Sequence, residues 1–363
     1  MRIALLTYSS KPRGGVVHTL ALAEALARLG DDVHVWTLAR GGDRAFFRPV
    51  DPAVTVHAVP FPGVDGEDVG ARILRSIDVL RDAFAAHRDD YDVVHAQDCI
   101  SANAAMPCVR TIHHLDTFTT PELAACHERA VVEPIARICV SRAVADEVAT
   151  GWGLGGALAP TVIPNGVDAA RFEAGAEDTA GRERWREKLG PYVLALGGIE
   201  PRKGSIDLLE AYALLRRRRP DLRLVFGGGE TLFDYRDYRR AFERRAQELY
   251  VDHEVLGVID EDDLPSLVAE ASVLAMASTK EGFGLAAMEA LAAGVPVVAR
   301  DVRVLREVLG DTVAYGDAPL SLAAAMVRSL ESPSDPEVGR ALARSFTWER
   351  AARAHQAFYA ALG

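Results

Sequence analysis

Glu281 and Glu289 stand eight positions apart in the run Ser278-Thr279-Lys280-Glu281-Gly282-Phe283-Gly284-Leu285-Ala286-Ala287-Met288-Glu289-Ala290-Leu291-Ala292-Ala293-Gly294. Ionised carboxylates accept hydrogen bonds from hydroxyls. Between the two lie Gly282-Phe283-Gly284 and the start of an apolar helix, and a buried strand, Val295–Ala299, follows directly. This order sets Glu281 at the carboxyl end of one strand, beside a helix amino terminus. Glu289 falls about two turns into that helix, counting 3.6 residues per turn. One carboxylate is then at a crevice floor and the other on its wall, with unpaired helix N–H groups between them. An anion held by those N–H groups, with hydroxyls held by two carboxylates, describes a nucleotide sugar.

Gly197-Gly198-Ile199-Glu200-Pro201-Arg202-Lys203-Gly204 joins another strand to another helix and carries two adjacent cations. A helix start is already positive, so Arg202 and Lys203 there imply an anion that offsets the repulsion. Gly14-Gly15 follows the first strand and opens the first helix, where glycine permits close backbone approach and the dihedrals of a tight turn. It is not a GxGxxG fingerprint and lends little to dinucleotide binding. His113, in Thr111-Ile112-His113-His114-Leu115-Asp116, sits at a strand carboxyl end, where open α/β sheets bind ligands. His114 and His95 are weaker candidates of the same kind.

Parallel α/β layers must position these residues, because short apolar runs alternate with helical patterns along the chain. Strands are expected at Ile3–Tyr8, Val33–Leu38, Val93–His95, Val109–Ile112, Ile138–Val140 and Thr161–Ile163, with a helix at Val16–Leu29 closed by Gly30. The series restarts with a strand at Tyr192–Leu196, a helix at Ser205–Leu215, and strands at Leu222–Phe226, Val255–Leu256, Val273–Met276 and Val297–Ala299. The turn-rich Pro164-Asn165-Gly166-Val167-Asp168 puts a boundary near residue 166, before the polar stretch Glu173–Arg186. A last helix spans Phe346–Leu362, with Thr347 as its N-cap. The face Ile73, Leu74, Ile77, Leu80 and Phe84 reads as core packing, and Arg216–Arg219 as a solvated helix end.

At 363 residues the chain is long enough for two domains, and 49% hydrophobic residues can fill two cores. A net charge of −11 argues against general nucleic-acid binding. Cys99, Cys108, Cys126 and Cys139 lack metal-ligand spacing and read as reduced, mostly buried thiols of a cytoplasmic protein. No run reaches the ~18 apolar residues of a membrane span. The opening Met1-Arg2-Ile3-Ala4-Leu5-Leu6 enters a strand rather than a signal peptide. Peripheral membrane association remains open.

Together, two α/β halves, His113, Arg202-Lys203 and Glu281-x7-Glu289 resemble the family-4 retaining glycosyltransferases of GT-B fold. The likeness covers nearly the whole chain. It includes the Val140-Ser141-Arg142 helix start, the Ile163–Asp168 crossover and the Phe346–Trp348 start of the last helix. The resemblance implies two Rossmann-like domains facing a central cleft: residues 1–166 with 346–363 on the acceptor side, and 167–345 binding the donor. The C-terminal helix would cross back to the first domain. Glu281 would contact the donor sugar hydroxyls and Glu289 the ribose hydroxyls. Backbone N–H groups of Phe283, Gly284 and Leu285 would meet the sugar or phosphates. Arg202 and Lys203 would neutralise the leaving diphosphate, Gly14 and Gly15 would approach it, and His113 would face the reacting sugar. Gly257 and Val258 would lie by the base. One departure is visible: many relatives carry Gly-Arg where this chain has Gly197-Gly198, so Arg202 is the candidate to supply that charge.

The expected reaction is retaining, metal-independent transfer of a hexose-type sugar, without a cofactor, from a UDP- or GDP-linked donor to a hydroxyl on a small molecule, glycan or lipid. Two rivals stand beside it: an epimerase or hydrolase of the same fold, and a nucleotide-sugar sensor without turnover. Thr231–Tyr250, charged and aromatic, reads as a surface helix, a lid or a homodimer contact.

Overall fold

The computed structural model describes residues 1–40, 45–115, 118, 120–229 and 235–362. Contacts divide the chain into two compact units, Met1–Gly166 with Trp348–Gly363, and Val167–Thr347. The return to the first unit comes at Trp348, not at 346. Phe346 stays with the second unit because its carbonyl accepts the Val167 N–H at 2.8 Å and its ring meets Phe283 edge-on, with centroids 5.3 Å apart.

In the first unit seven parallel strands run β1 (Arg2–Leu6), β2 (Asp32–Arg40), β3 (Val54–Phe61), β4 (Val93–Ala96), β5 (Val109–Ile112), β6 (Ala136–Cys139) and β7 (Thr161–Val162). Their spatial order is β3-β2-β1-β4-β5-β6-β7. The helices between them are α1 (Gly14–Arg28), α2 (Val69–Ala85), α3 (Cys99–Ala105), α4 (Pro121–Val132) and α5 (Arg142–Trp152). Ser141 caps α5, its hydroxyl accepting the Val144 N–H at 3.3 Å. In α2, Ile73, Ile77, Leu80 and Phe84 are buried as expected, but Leu74 is 46% exposed, so the apolar face is one residue narrower than its sequence suggests.

The second unit has six parallel strands: β8 (Tyr192–Leu196), β9 (Arg223–Gly227), β10 (His253–Gly257), β11 (Val273–Met276), β12 (Val297–Arg300) and β13 (Ala314–Gly316). Their order is β10-β9-β8-β11-β12-β13. The helices are α6 (Ala169–Glu177), α7 (Thr179–Leu189), α8 (Ser205–Leu215), α9 (Arg236–Leu249), α10 (Leu264–Glu270), α11 (Leu285–Ala292), α12 (Arg303–Leu309), α13 (Pro319–Glu331) and α14 (Pro336–Ser345). The segment considered as a lid or dimer contact resolves in part: α9 buries Phe242 and Ala246, and residues 231–234 lie outside those described.

The last helix, α15 (Trp348–Ala360), belongs to the first unit and packs Ala352 and Tyr359 into the same core as Leu20, Leu26, Val33 and Val35. Gly166 is needed beneath it, because a Cβ there would lie 2.3 Å from the Trp348 nitrogen. Each sheet reverses its strand order once, between β1 and β4 in the first unit and between β8 and β11 in the second. In open α/β sheets the crevice beyond such a reversal is where ligands bind.

Candidate functional site

The loop after β8 and the loop after β11 leave adjacent strands at the second unit's reversal point. That adjacency brings together residues 78 positions apart. Lys203 Nζ donates to Glu281 Oε1 at 2.6 Å, and an Arg202 guanidinium nitrogen lies 3.6 Å from the same oxygen. Arg202 also reaches toward the Glu200 carboxylate at 3.9 Å. The Arg202 carbonyl accepts the Thr279 N–H at 2.8 Å, which stitches the two loops along their backbones. Only 11% of the Glu281 side chain is exposed. Burial alone would raise its pKa, but the charges of Lys203 and then Arg202 outweigh that and hold it at about 2. Part of the charge that the sequence assigned to an external anion is therefore offset inside the protein by Glu281.

Gly204 permits this arrangement on two counts. Its φ is +63°, in the left-handed region, and a Cβ would lie 2.1 Å from the Ala277 carbonyl oxygen. Gly197, at φ +129°, leaves Lys203 its place: a Cβ there would come 3.1 Å from Lys203 Cε. Gly197, Gly198, Lys203 and Ser278 help line a cavity of about 20 Å³, the room of roughly one water.

Gly284, at φ +94°, precedes α11, and the N–H groups of Phe283, Gly284, Leu285 and Ala286 have no partner among the described residues. The Phe283 ring is buried and turned inward, so only its backbone is offered to a ligand. No acidic side chain stands in the first turn of α11, leaving the positive end of its dipole uncompensated there. Because the helix begins at Leu285, Glu289 sits about one turn in, not two. The Glu289 carboxylate has no hydrogen-bond or ion-pair partner among the described residues, while its carbonyl accepts the Ala293 N–H at 3.0 Å. Burial pushes its carboxyl up to about 7, Arg171 opposing and Glu261 and Asp168 reinforcing the rise. The two glutamates thus differ by environment: one is a salt-bridged anion, the other a carboxyl close to its midpoint near neutrality.

Gly257 ends β10 at φ +72°, its carbonyl accepting the Gly228 N–H at 2.8 Å, and Val258 beyond it is 58% exposed. Both lie at the carboxyl edge of the same sheet, beyond β9 and β10.

In the first unit, Gly14 and Gly15 open α1 as expected, so the helix starts two residues before Val16, and neither has positive φ. Neither position is closed to a side chain by the protein itself. A Cβ on Gly15 would lie 3.5 Å from the His113 ring, and nothing stands within 4 Å of one on Gly14. His113 meets His18 edge-on with ring centroids 4.7 Å apart. His18 is fixed in turn by Asn165, Nδ1 to Oδ1 at 2.9 Å, and by the Trp348 ring at 5.3 Å. Burial holds His18 near pKa 3 and His113 well below the ordinary histidine value, so both rings are neutral at pH 7. His113 Nε2 is buried without a hydrogen-bond partner among the described residues. His95 is structural instead: Nδ1 lies 2.6 Å from the Tyr359 hydroxyl and Nε2 lies 2.7 Å from the Thr111 hydroxyl. His114 is only half-buried beside this cluster.

Sequence reasoning passed over His18 and Arg300. His18 was legible as the one ionisable residue in the run Val16-Val17-His18-Thr19-Leu20 of an apolar helix. Arg300, at the end of β12, donates to the Ala277 carbonyl and the Asp317 carbonyl, each at 2.7 Å, and to the Asp207 carboxylate on α8. It therefore ties the loop carrying Glu281 to the helix that follows Lys203. A charge ending the apolar Val297-Val298-Ala299 was its only signal.

Among the described residues no group of three or more His, Cys, Asp or Glu is placed to hold a metal ion, and no helix is long and apolar enough to cross a membrane. Residues 180–337 match the glycosyl transferases group 1 family, and residues 12–171 match glycosyltransferase family 4. The chain is 30% identical to a D-inositol 3-phosphate glycosyltransferase of Xylanimonas cellulosilytica, over 99% of this chain and 96% of that one. It is also 30% identical to an MMP alpha-(1->4)-mannosyltransferase of Mycolicibacterium hassiacum, over 99% and 98%. Among solved structures it is similar to HepE of Anabaena in complex with UDP and glucose, with a TM-score of 0.75, 19% identity and 99% of each chain covered.

Proposed function

The chain belongs to the family 4, group 1 glycosyltransferases, of GT-B fold, and is a sugar-transferring enzyme; from that premise we propose which sugar chemistry it performs and with which residues. The proposed donor is a hexose linked to UDP or GDP, bound by the second unit, and the acceptor is a hydroxyl. HepE was solved with UDP and glucose and a relative is named a mannosyltransferase, so glucosyl and mannosyl donors are the first to try.

The observation that carries this reading is the meeting of Lys203 and Glu281 at the β8–β11 reversal, beside the unpartnered amides that open α11. Breaking a glycosyl–diphosphate bond builds negative charge on the leaving oxygen. Lys203, Arg202 and the N–H groups of Phe283, Gly284 and Leu285 are preorganised donors for that charge, and such hydrogen bonds strengthen as the oxygen becomes more anionic. The same rule gives Lys203 two partners in turn: the Glu281 carboxylate before binding, and the diphosphate when the donor is bound. Glu281 then accepts from the transferred sugar's hydroxyls and Glu289 from the ribose hydroxyls. Gly257 and Val258 are assigned to the base. On the first unit, Gly14, Gly15 and His113 are the residues we assign to transfer, with His113 neutral and acting through its unpartnered Nε2.

We take transfer to be retaining and independent of metal. The C1–oxygen bond to the diphosphate breaks, the acceptor oxygen bonds to C1 on the same face, and the acceptor's proton passes to the departing phosphate oxygen. Nucleoside diphosphate release from a panel of UDP- and GDP-sugars, with and without hydroxyl acceptors, tests the reading. Acceptor-dependent release supports it. Acceptor-independent release turns it to a hydrolase, and binding without release turns it to a sensor.

A further inference from the structure

Cys99 and Cys126 are adjacent in the first unit and take no part in the steps above. Cys99 opens α3, and Cys126 lies in the middle of α4, which packs against α3. Their thiols are hydrogen-bonded to each other. Cys126 Sγ also lies 3.8 Å from the Cys99 carbonyl oxygen. Asn103 brackets the pair: its Nδ2 donates to the Cys99 and Cys126 carbonyls, each at 2.8 Å, and lies 3.2 Å from Cys126 Sγ. Both cysteines are reduced. Cys126 is buried and Cys99 half-buried, so the pair meets solvent on the Cys99 side.

The surroundings favour one thiolate. The shared hydrogen bond, and then burial, push Cys99 well above the ordinary thiol value, while the same bond pulls Cys126 below it. The proton therefore stays on Cys99, and Cys126 ionises first. Arg110, on β5, is buried; its Nε has no hydrogen-bond partner and its guanidinium no carboxylate partner among the described residues. Its charge favours a thiolate on either sulfur. Asp98, the acid that acts most on Arg110, already has its oxygens taken by the N–H groups of Tyr8 at 2.9 Å and Ser101 at 2.7 Å. The remaining cysteines differ: burial pushes Cys108 and Cys139 up to about 12. A low-lying thiolate beside a second thiol that reaches solvent is the arrangement in which oxidation is selective.

We propose that Cys99 and Cys126 are an oxidation site for hydroperoxides and close to a disulfide between α3 and α4. In the first step the Cys126 thiolate attacks one peroxide oxygen and the O–O bond breaks. The leaving hydroxide or alkoxide takes a proton from solvent, and Cys126 becomes a sulfenic acid. In the second step the Cys99 sulfur bonds to the Cys126 sulfur and the S–O bond breaks. The hydroxide leaves with the Cys99 proton as water. Both thiols are oxidised, and the hydroperoxide is reduced to water and an alcohol, or to water alone when it is hydrogen peroxide. The new bond ties α3 to α4, and α4 holds the loop after β5 through Phe118 and His127, whose ring centroids are 5.2 Å apart. This site stands apart from the transfer reading above.

The test exposes the purified chain to graded hydrogen peroxide, alkylates the remaining thiols and maps the peptides by mass spectrometry, for wild type, Cys99→Ser and Cys126→Ser. Wild type should give a peptide pair joined through Cys99 and Cys126, lighter by two hydrogens and released by dithiothreitol. In Cys99→Ser the reaction should stop at a Cys126 sulfenic acid, which dimedone traps. In Cys126→Ser, Cys99 should react at least about tenfold more slowly than Cys126 does in wild type, because the favoured thiolate is gone. Crosslinking should also raise the melting temperature of wild type, since it closes a loop in the unfolded chain. Oxidation of Cys108 or Cys139 ahead of the pair overturns the proposal. So does a disulfide that joins two chains instead, or a crosslink that lowers the melting temperature. If a serine variant does not fold, the wild-type peptide map decides alone.

Discussion

Replacing Glu289 by Gln should stabilise the protein at alkaline pH while weakening nucleotide binding. Burial moves this carboxyl from its ordinary 4.5 to about 7. Because the folded-state value is the higher one, folding favours the protonated form. That stability is fully present below pH 4.5 and is lost as pH rises through about 7. The gap of 7 − 4.5 is worth about 3 kcal/mol at 1.36 kcal/mol per pH unit. Gln is neutral throughout and forfeits nothing as pH rises. The stability difference, variant minus wild type, should therefore grow by up to about 3 kcal/mol between pH 4.5 and 8. Urea unfolding at a series of pH values reads it directly. Calorimetric titration with UDP and GDP at pH 8 reads the other half. If the ionised carboxylate holds the ribose hydroxyls, the variant loses about 1.5–3 kcal/mol of affinity, the range for a charged hydrogen bond. Wild-type affinity should also climb through pH 7 while the variant's stays flat. A pH-independent stability difference would refute the burial argument. Unchanged nucleotide affinity would remove Glu289 from the site.

Lys203→Ala should slow transfer by about 2–4 kcal/mol, the loss on removing one preorganised donor, and a loss under about threefold in kcat/KM contradicts its role. In Glu281→Gln, transfer should fall heavily while the fold is kept, and wild-type rates would take Glu281 out of the sugar site. Gly204→Ala should destabilise the second unit by more than the about 1 kcal/mol of a strained backbone alone, because its Cβ also collides with the Ala277 carbonyl. A melting temperature equal to wild type would contradict that. Transfer should persist in EDTA, and loss of turnover restored by Mg²⁺ or Mn²⁺ would overturn the metal-independent proposal.

The residues were more legible than their meeting. The apolar runs Tyr192–Leu196 and Val273–Met276 each declared a strand by themselves, and both are strands in the structure. Nothing local says that these two are neighbours, so the Lys203–Glu281 ion pair could not be read before the strand order was known. β3 escaped notice because Val54–Phe61 mixes half-exposed residues with Pro60, as an edge strand tolerates, and β13 is only three residues long. α1 begins two residues before the expected Val16, because Gly14 and Gly15 carry no side chains to extend the apolar helical pattern; Gly15 lies beside His113, and neither glycine has positive φ. His18 and Arg300 act through neighbours distant in sequence, Asn165 and Ala277, and no spacing rule connects them.

We propose above all that the second unit's Lys203–Glu281 site drives sugar transfer from a nucleotide sugar. The most direct test is NMR observation of the reaction with UDP-glucose and GDP-mannose, with and without hydroxyl acceptors, for wild type and Lys203→Ala. Acceptor-dependent release of nucleoside diphosphate is expected, with a glycoside that keeps the donor's anomeric configuration, both strongly reduced in the variant. An inverted anomer, or turnover in Lys203→Ala equal to that of wild type, would contradict it.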